Sequence, residues 1–232
     1  MTPLFRAGTI DEAIWQSVHD ADEYRLPADM TGAVVLDVGA HIGACACLCK
    51  TRGAAAIWAV EPDLGSLRLC MANVAATPGA AILQPIHAAA WRSDRRGDRV
   101  YARGYEEWRT DCPCIEPMAE GEAEVPALPL DDLVTLATDW GRRRLTLLKL
   151  DCEGSEWPIL FTSRTLHLID AIVGEYHLWH ADVMAPLGRV PGLVYDLGSL
   201  RSRLEAEGFT VEIDQPEEPW GLFRARRPQL SP

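Results

Sequence analysis

Short apolar runs alternate along this chain with stretches whose apolar residues recur every three or four positions. Val34–Val38 is apolar apart from Asp37, the pattern of a strand covered on both faces, and it leads through a glycine turn into a helix over Ile42–Arg52. Ala56–Val60 reads as the next strand, Leu64–Ala76 as the next helix and Ala81–Ile86 as a third strand. After a break, Leu130–Leu133 opens a helix, Leu145–Leu150 is a buried strand, Ser155 caps a helix that admits Pro158 in its first turn, and Ala171–Glu175 is another strand. Leu197–Glu207 is a helix ended by Gly208, and Phe209–Ile213 and Gly221–Ala225 close the chain as a hairpin that adds an antiparallel edge. Ahead of all this, Ile10, Ile14, Trp15 and Val18 stand at helical spacing, which predicts a helix over Ile10–Tyr24 with Thr9 as N-cap and Glu12 completing a capping box.

The repeating strand–helix rhythm predicts an α/β domain over residues 31–232, a mostly parallel sheet with helices on both faces, behind a helical extension over residues 1–30. Between Ser93 and Ala127 the rhythm gives way to charged, Gly- and Pro-bearing sequence, with short antiparallel strands over Arg99–Ala102 and Glu124–Leu128. An insertion near the mouth of the site is expected there.

At 232 residues the chain suits one such domain. The formal charge of −12 disfavours nucleic acid as a partner. No apolar run approaches the roughly 18 residues that would span a bilayer, so no membrane partner is expected. The start lacks the layout of a secretory signal, which points to the cytoplasm. The seven cysteines, an odd number beside apolar neighbours, read as core fillers. The apolar surroundings of Trp179 and Trp220 leave room for a homodimer.

The chemistry gathers at strand ends, where ligands of open α/β sheets bind. In the segment Asp37 to Gly43, Gly39 and Gly43 permit a sharp turn and a close backbone approach, with Ala40 between. A dinucleotide fingerprint needs glycine where this chain has His41, so a diphosphate is disfavoured and a phosphate-free adenosyl cofactor such as S-adenosylmethionine is favoured, its amino group near Asp37. Glu61, with Pro62 fixing the turn behind it, is placed to accept from two ribose hydroxyls, and Ala88 and Ala89 fall at the adenine edge. A second segment, Leu147 to Trp157, emits Asp151, Glu153 and Glu156 around one glycine. For Glu156 a role at the helix N-terminus is the simpler account.

The series Asp37-Val-Gly-Ala-His-Ile-Gly43, Val60-Glu-Pro62, Leu130-Asp-Asp-Leu133 and Leu148-Lys-Leu-Asp-Cys-Glu-Gly-Ser-Glu156 resembles the motifs of the FkbM-type methyltransferases, over roughly residues 33 to 180. The resemblance implies a Rossmann-like class I methyltransferase fold with a seven-stranded, mostly parallel sheet and an antiparallel strand near the C-terminal edge. It also implies methyl transfer from S-adenosylmethionine, commonly to a hydroxyl of a sugar or secondary metabolite, so the expected partner is a small-molecule acceptor. An aliphatic hydroxyl is a poor acid and needs a base or a metal. His177 is the candidate base, with Asp151 or Glu175 orienting it, and Glu153 belongs to the same set of acids; Asp151 is expected to contact the cofactor as well. Alternatively Asp151, Glu175 and His177 hold a divalent cation. Two rivals stay open: a nicotinamide-dependent reductase and a catalytically silent cofactor-binding subunit. Cys112-Pro-Cys114 and His177-Leu-Trp-His180 lack the spacing of a metal site.

Overall fold

A computed structural model describes residues 2–102, 123–152, 154–178 and 190–228. Helix α1 (Asp11–Trp15) runs straight into a π-helical turn over Gln16–Asp20. Then come β1 (Val34–Val38), α2 (Ala44–Thr51), β2 (Ala56–Glu61), α3 (Leu64–Ala76), β3 (Ile82–His87) and β4 (Ala89–Trp91). The strands β5 (Arg99–Ala102) and β6 (Ala123–Pro129) precede α4 (Leu130–Ala137), β7 (Leu147–Leu150), α5 (Glu156–Thr162) and β8 (Ala171–His177). The chain ends through α6 (Leu197–Ala206), β9 (Thr210–Ile213) and β10 (Trp220–Arg226).

Seven strands form one sheet in the order β3-β2-β1-β7-β8-β10-β9, parallel from β3 to β8, with β10 antiparallel to both of its neighbours. This is the Rossmann-like class I arrangement expected from the sequence. The strand order reverses at β1, which lies between β2 and β7, and the carboxyl ends of strands at such a reversal are where ligands of open α/β sheets bind. A smaller three-stranded sheet, β4-β6-β5, has a satellite core of Trp91, Val100, Val125 and Ala127; the expected insertion strands are present in it.

Because strand neighbours point to opposite faces, each central strand serves two cores. Leu36, Leu148, Leu150 and Ile172 pack with residues of α4, α5 and α6 on one face, and Val35, Ile57, Leu147 and Val173 pack with Trp15, Val18 and α2 on the other. Burying one such side chain contributes about 2 kcal/mol. In α2 the buried Cys45, Cys47 and Cys49, with Cys70 of α3, carry free thiols and keep the helices close; a Cβ at Gly43 would stand 2.9 Å from Cys70 Sγ. Cys112 and Cys114 lie outside the described residues.

Two capping expectations are corrected. The first α-helix begins at Asp11 with Ile10 at its N-cap, no side chain caps it, and Glu12 closes no box. The Thr9 hydroxyl instead accepts from the Asp11 amide at 3.3 Å, while the Asp11 carboxylate turns inward to Arg6 and His41. The Ser155 side chain makes no cap bond either, and Pro158, three residues on, has no amide hydrogen to offer it; Glu156 Oε1 turns back instead to the amides of Cys152 and Gly154 ahead of the helix, at 2.9 and 3.2 Å. Among the described residues, no helix is long and apolar enough to cross a membrane.

Candidate active site

The glycine turn after β1 is fixed by its surroundings. Gly39 has φ +72°, and a Cβ there would lie 1.8 Å from the Asp151 carbonyl oxygen, so only glycine lets β1 end this close to β7. The amides of Gly39 and Ala40 both donate to the Val60 carbonyl, at 3.0 and 3.1 Å, and Gly43 donates to Ala40 at 2.8 Å. His41 takes φ +48°, an uncommon conformation for a side-chain-bearing residue. Its ring is held by Arg6 Nη2 at 2.9 Å and Asp11 Oδ1 at 3.2 Å, and Arg6 grips Asp11 with two nitrogens.

Glu61 ties the turn to β2. Its Oε2 accepts from the His41 amide and its Oε1 from the Asp63 amide, both at 2.8 Å, and it is 1% exposed. Burial pushes its carboxyl up to about 7, against the pull of those two amides. Pro62 contributes its carbonyl to His87 Nε2 at 2.9 Å. Ala88 and Ala89 are buried where β3 passes to β4, and Ala89 pairs with Ala127.

The second part of the site is a polar row on a single face. Asp37 and Lys149 are partners in register, as are Lys149 and Val173. Two-residue alternation then puts Asp151 beyond Lys149 and places Glu175 and His177 beyond Val173. Lys149 Nζ donates to Gly39 O at 2.7 Å, and lies 3.3 Å from Asp151 Oδ2 and 3.7 Å from Asp37 Oδ1. Neither Asp37 oxygen has a hydrogen-bond partner among the described residues. Burial raises the Asp37 carboxyl, with Lys149 opposing. Burial also presses the Lys149 ammonium down, but Asp151 and Asp37 outweigh it and hold the proton on.

Asp151 and Glu175 diverge. Burial raises the Asp151 carboxyl, but Lys149, His177 and the Tyr24 hydroxyl, 3.0 Å from Oδ2, carry it below the ordinary range. Glu175 is raised by burial and by the charge of Asp151, with His177 opposing. The His177 ring lies between two carboxylates, Nε2 at 3.3 Å from Glu175 and Nδ1 at 3.4 Å from Glu156. The Glu175 side chain is 22% exposed and that of His177 only 4%, so the glutamate is the member that can be reached.

The structure thus brings Asp37, Asp151, Glu175 and His177 to one corner and sets Gly39, Ala40, His41, Gly43, Glu61 and Pro62 along its rim. Ala88 and Ala89 stand apart at the next strand, and Glu153 lies outside the described residues, as do Trp179 and His180. The divalent-cation alternative gains no support: among the described residues no group of three His, Cys, Asp or Glu could hold a metal ion, and an ammonium already sits against Asp151. Two side chains came unannounced. Tyr24 bonds Asp151, and Glu23 has its carboxyl pushed up to about 7 by burial, then by Glu175 and Asp151. The periodicity of Ile10, Ile14 and Val18 gave no sign of either, because their place depends on the chain folding back over β7 and β10. A cavity of about 370 Å³ lined by Phe5, Trp15, His19, Thr51, Thr77 and Pro78 includes none of these groups.

The family described as the methyltransferase FkbM domain matches residues 37–211. No curated protein matches the chain. Among solved structures, the chain is similar to a putative RNA methyltransferase from Pyrococcus horikoshii at 11% identity, covering 95% of this chain and 82% of that one, with a TM-score of 0.42. It is also similar to the magnesium protoporphyrin IX methyltransferase of Synechocystis with bound SAM, at 9% identity, 98% and 87% coverage and a TM-score of 0.48. A third, the Thermus thermophilus 16S rRNA N2 G1207 methyltransferase, gives 15% identity, 97% and 45% coverage and a TM-score of 0.48.

Proposed function

The chain belongs to the FkbM family of methyltransferases, and on that premise we propose that it transfers the methyl group of S-adenosylmethionine to a hydroxyl oxygen of a small polar acceptor, a sugar or a secondary metabolite. The observation that carries the reading is the polar row itself, in which Asp151 is held ionised while the more exposed Glu175 is pushed toward its neutral form.

The residues suit the cofactor. Asp37 is a buried carboxylate whose oxygens lack hydrogen-bond partners among the described residues, at the end of the first strand, and a cationic, phosphate-free ligand complements it. A diphosphate would meet Asp37, Glu61, Asp151 and Glu175 instead, which weighs against the nicotinamide reading. Asp37, Gly39, Ala40, His41, Gly43, Glu61 and Pro62 would hold the cofactor, with Ala88 and Ala89 at its adenine side and Asp151 beside it, between the cofactor and the acceptor. When bound, S-adenosylmethionine supplies an electrophilic methyl on a positively charged sulfur.

The protein then has two tasks, to orient the acceptor oxygen and to take its proton. Two neighbouring carboxyls with opposed ionisation divide such work. Asp151, kept charged by Lys149 and Tyr24, orients and accepts hydrogen bonds. Glu175 takes the proton and becomes neutral, with His177 Nε2 3.3 Å away to hold its carboxyl in place. This revises the expectation that His177 itself is the base, since the imidazole is the buried member of the pair. General-base assistance of this kind contributes about 10²–10⁴ in rate.

The test is incubation with methyl-labelled S-adenosylmethionine and a panel of sugars and polyhydroxylated metabolites, with mass spectrometry locating the label. Label on an oxygen is the expected result. Label on nitrogen, or cofactor binding with no transfer to any acceptor, would contradict it.

A further inference from the structure

Residues 22–26 precede the family match, and Arg224 and Arg226 follow it. These two outlying segments clasp each other across the polar corner. Arg224 Nε donates to the Tyr24 carbonyl at 3.2 Å and its Nη2 to the Glu23 carbonyl at 3.4 Å, while Arg226 Nη2 donates to the Arg25 carbonyl at 2.8 Å. From the C-cap of α2, Arg52 donates to the Leu26 carbonyl and to Asp22 Oδ2, both at 2.9 Å. Asp22 closes the loop on itself, accepting from the Arg25 amide at its carbonyl and from the Leu26 amide at Oδ1.

This grip holds a backbone that would not adopt its shape unaided. Asp22 and Arg25 both have φ +51°, a left-handed conformation that an arginine rarely takes. Strain of this kind persists only where the surroundings over-determine it, and here it brackets a pair of residues directed at the site. Tyr24, between the strained positions, is 1% exposed, its hydroxyl donates to Asp151 Oδ2 at 3.0 Å, and its ring lies 5.8 Å from Lys149 Nζ. Asp151 Oδ2 therefore has the Lys149 ammonium on one side and a phenol on the other.

We propose that Tyr24 is a positioning residue of the methyl-transfer site: its hydroxyl fixes the Asp151 carboxylate toward the cofactor, and the clasp between residues 22–26 and β10 holds that hydroxyl in place. The proposal rests on the reading that S-adenosylmethionine binds beside Asp151. It makes the segments flanking the family match part of the site, so that truncating either would disturb binding without touching a motif residue.

The experiment uses the full chain labelled with carboxyl-¹³C aspartate, the Asp151 resonance being assigned by its loss in Asp151→Asn. In Tyr24→Phe that resonance should move at neutral pH, and calorimetry should find S-adenosylmethionine bound about tenfold more weakly, the scale of one hydrogen bond to a charged group. Tyr176→Phe is the control, since that hydroxyl donates to the carbonyls of Asp214 and Gln215, and it should leave both readings unchanged. Arg226→Ala, an exposed change that removes the hydrogen bond to the Arg25 carbonyl, should shift both in the direction of Tyr24→Phe by less, and it serves if Tyr24→Phe does not fold. A still resonance in Tyr24→Phe, or a moved resonance with unchanged affinity, would overturn the proposal. Failure of the unsubstituted protein to bind S-adenosylmethionine would instead overturn the cofactor reading and the proposal with it, whatever the resonance does.

Discussion

The two faces of the central sheet are made by the same strands and differ in one respect. Under α4, α5 and α6 the face stays apolar to the strand ends, with Leu36, Leu148 and Leu150 in one core. On the opposite face Val35, Leu147 and Val173 are apolar, and two residues further along each strand stand Asp37, Lys149 and Glu175. Within β7, Leu148 and Lys149 are adjacent in sequence and belong to different worlds. Core stability and site chemistry are thus separated by a single step along a strand, and substitutions on either side of that step should behave differently.

The largest effect is expected from Lys149→Met. Removing the ammonium leaves Asp37 and Asp151 buried without their counter-charge, a change that costs about 3–5 kcal/mol of unfolding free energy by the usual behaviour of broken buried pairs. Denaturant titration measures it, and a loss below about 1 kcal/mol would erase the electrostatic difference between the faces. Leu148→Ala should cost about 2–5 kcal/mol by opening a cavity, yet leave S-adenosylmethionine affinity unchanged in the folded fraction. An affinity loss there would show that the faces are not separate.

Glu175→Gln should lower turnover about 10²-fold, roughly 2.7 kcal/mol of barrier, while cofactor binding by calorimetry stays within about twofold. The smallest effect is a slope. The Glu61 carboxyl, pushed up to about 7 by burial, keeps a proton in the folded state that the unfolded chain has released above about 4.5. Its stabilising contribution is whole below the unfolded value and is lost as pH rises through about 7. Asp151, held low, acts oppositely, its contribution being lost on acidification below the ordinary aspartate value. Unfolding free energy should therefore decline between pH 4.5 and 7 and flatten above, and Glu61→Gln should make that decline shallower, with Glu23, raised to about 7 as well, carrying another part.

The centre of the sheet was legible because β1 and β7 are buried on both faces and are apolar but for Asp37 and Lys149; β1 and α3 have the bounds expected of them. The turn was legible too, since Gly39 and Gly43 do what only glycine can, and the sequence placed Asp37 and Glu61 at the strand ends where they stand. What the sequence did not disclose is where a side chain able to cap a helix spends its acceptors once the chain has folded. Ser155 caps nothing while Glu156 turns back to amides ahead of α5, and Asp11 turned to Arg6 and His41. Tyr24 was hidden for a further reason. Its partner Asp151 lies 127 residues away, and the arginines that hold its loop sit on the strand that closes the chain.

The central claim is that a cationic adenosyl cofactor is held at the switch point by acids on one face of the sheet. Titration calorimetry of the full chain and of Asp37→Ala with S-adenosylmethionine, and of the full chain with NADH, tests it directly. The account expects one S-adenosylmethionine bound per chain, tenfold or more weaker in Asp37→Ala, and no binding of NADH. Binding of NADH in preference, or S-adenosylmethionine affinity indifferent to Asp37, would contradict it.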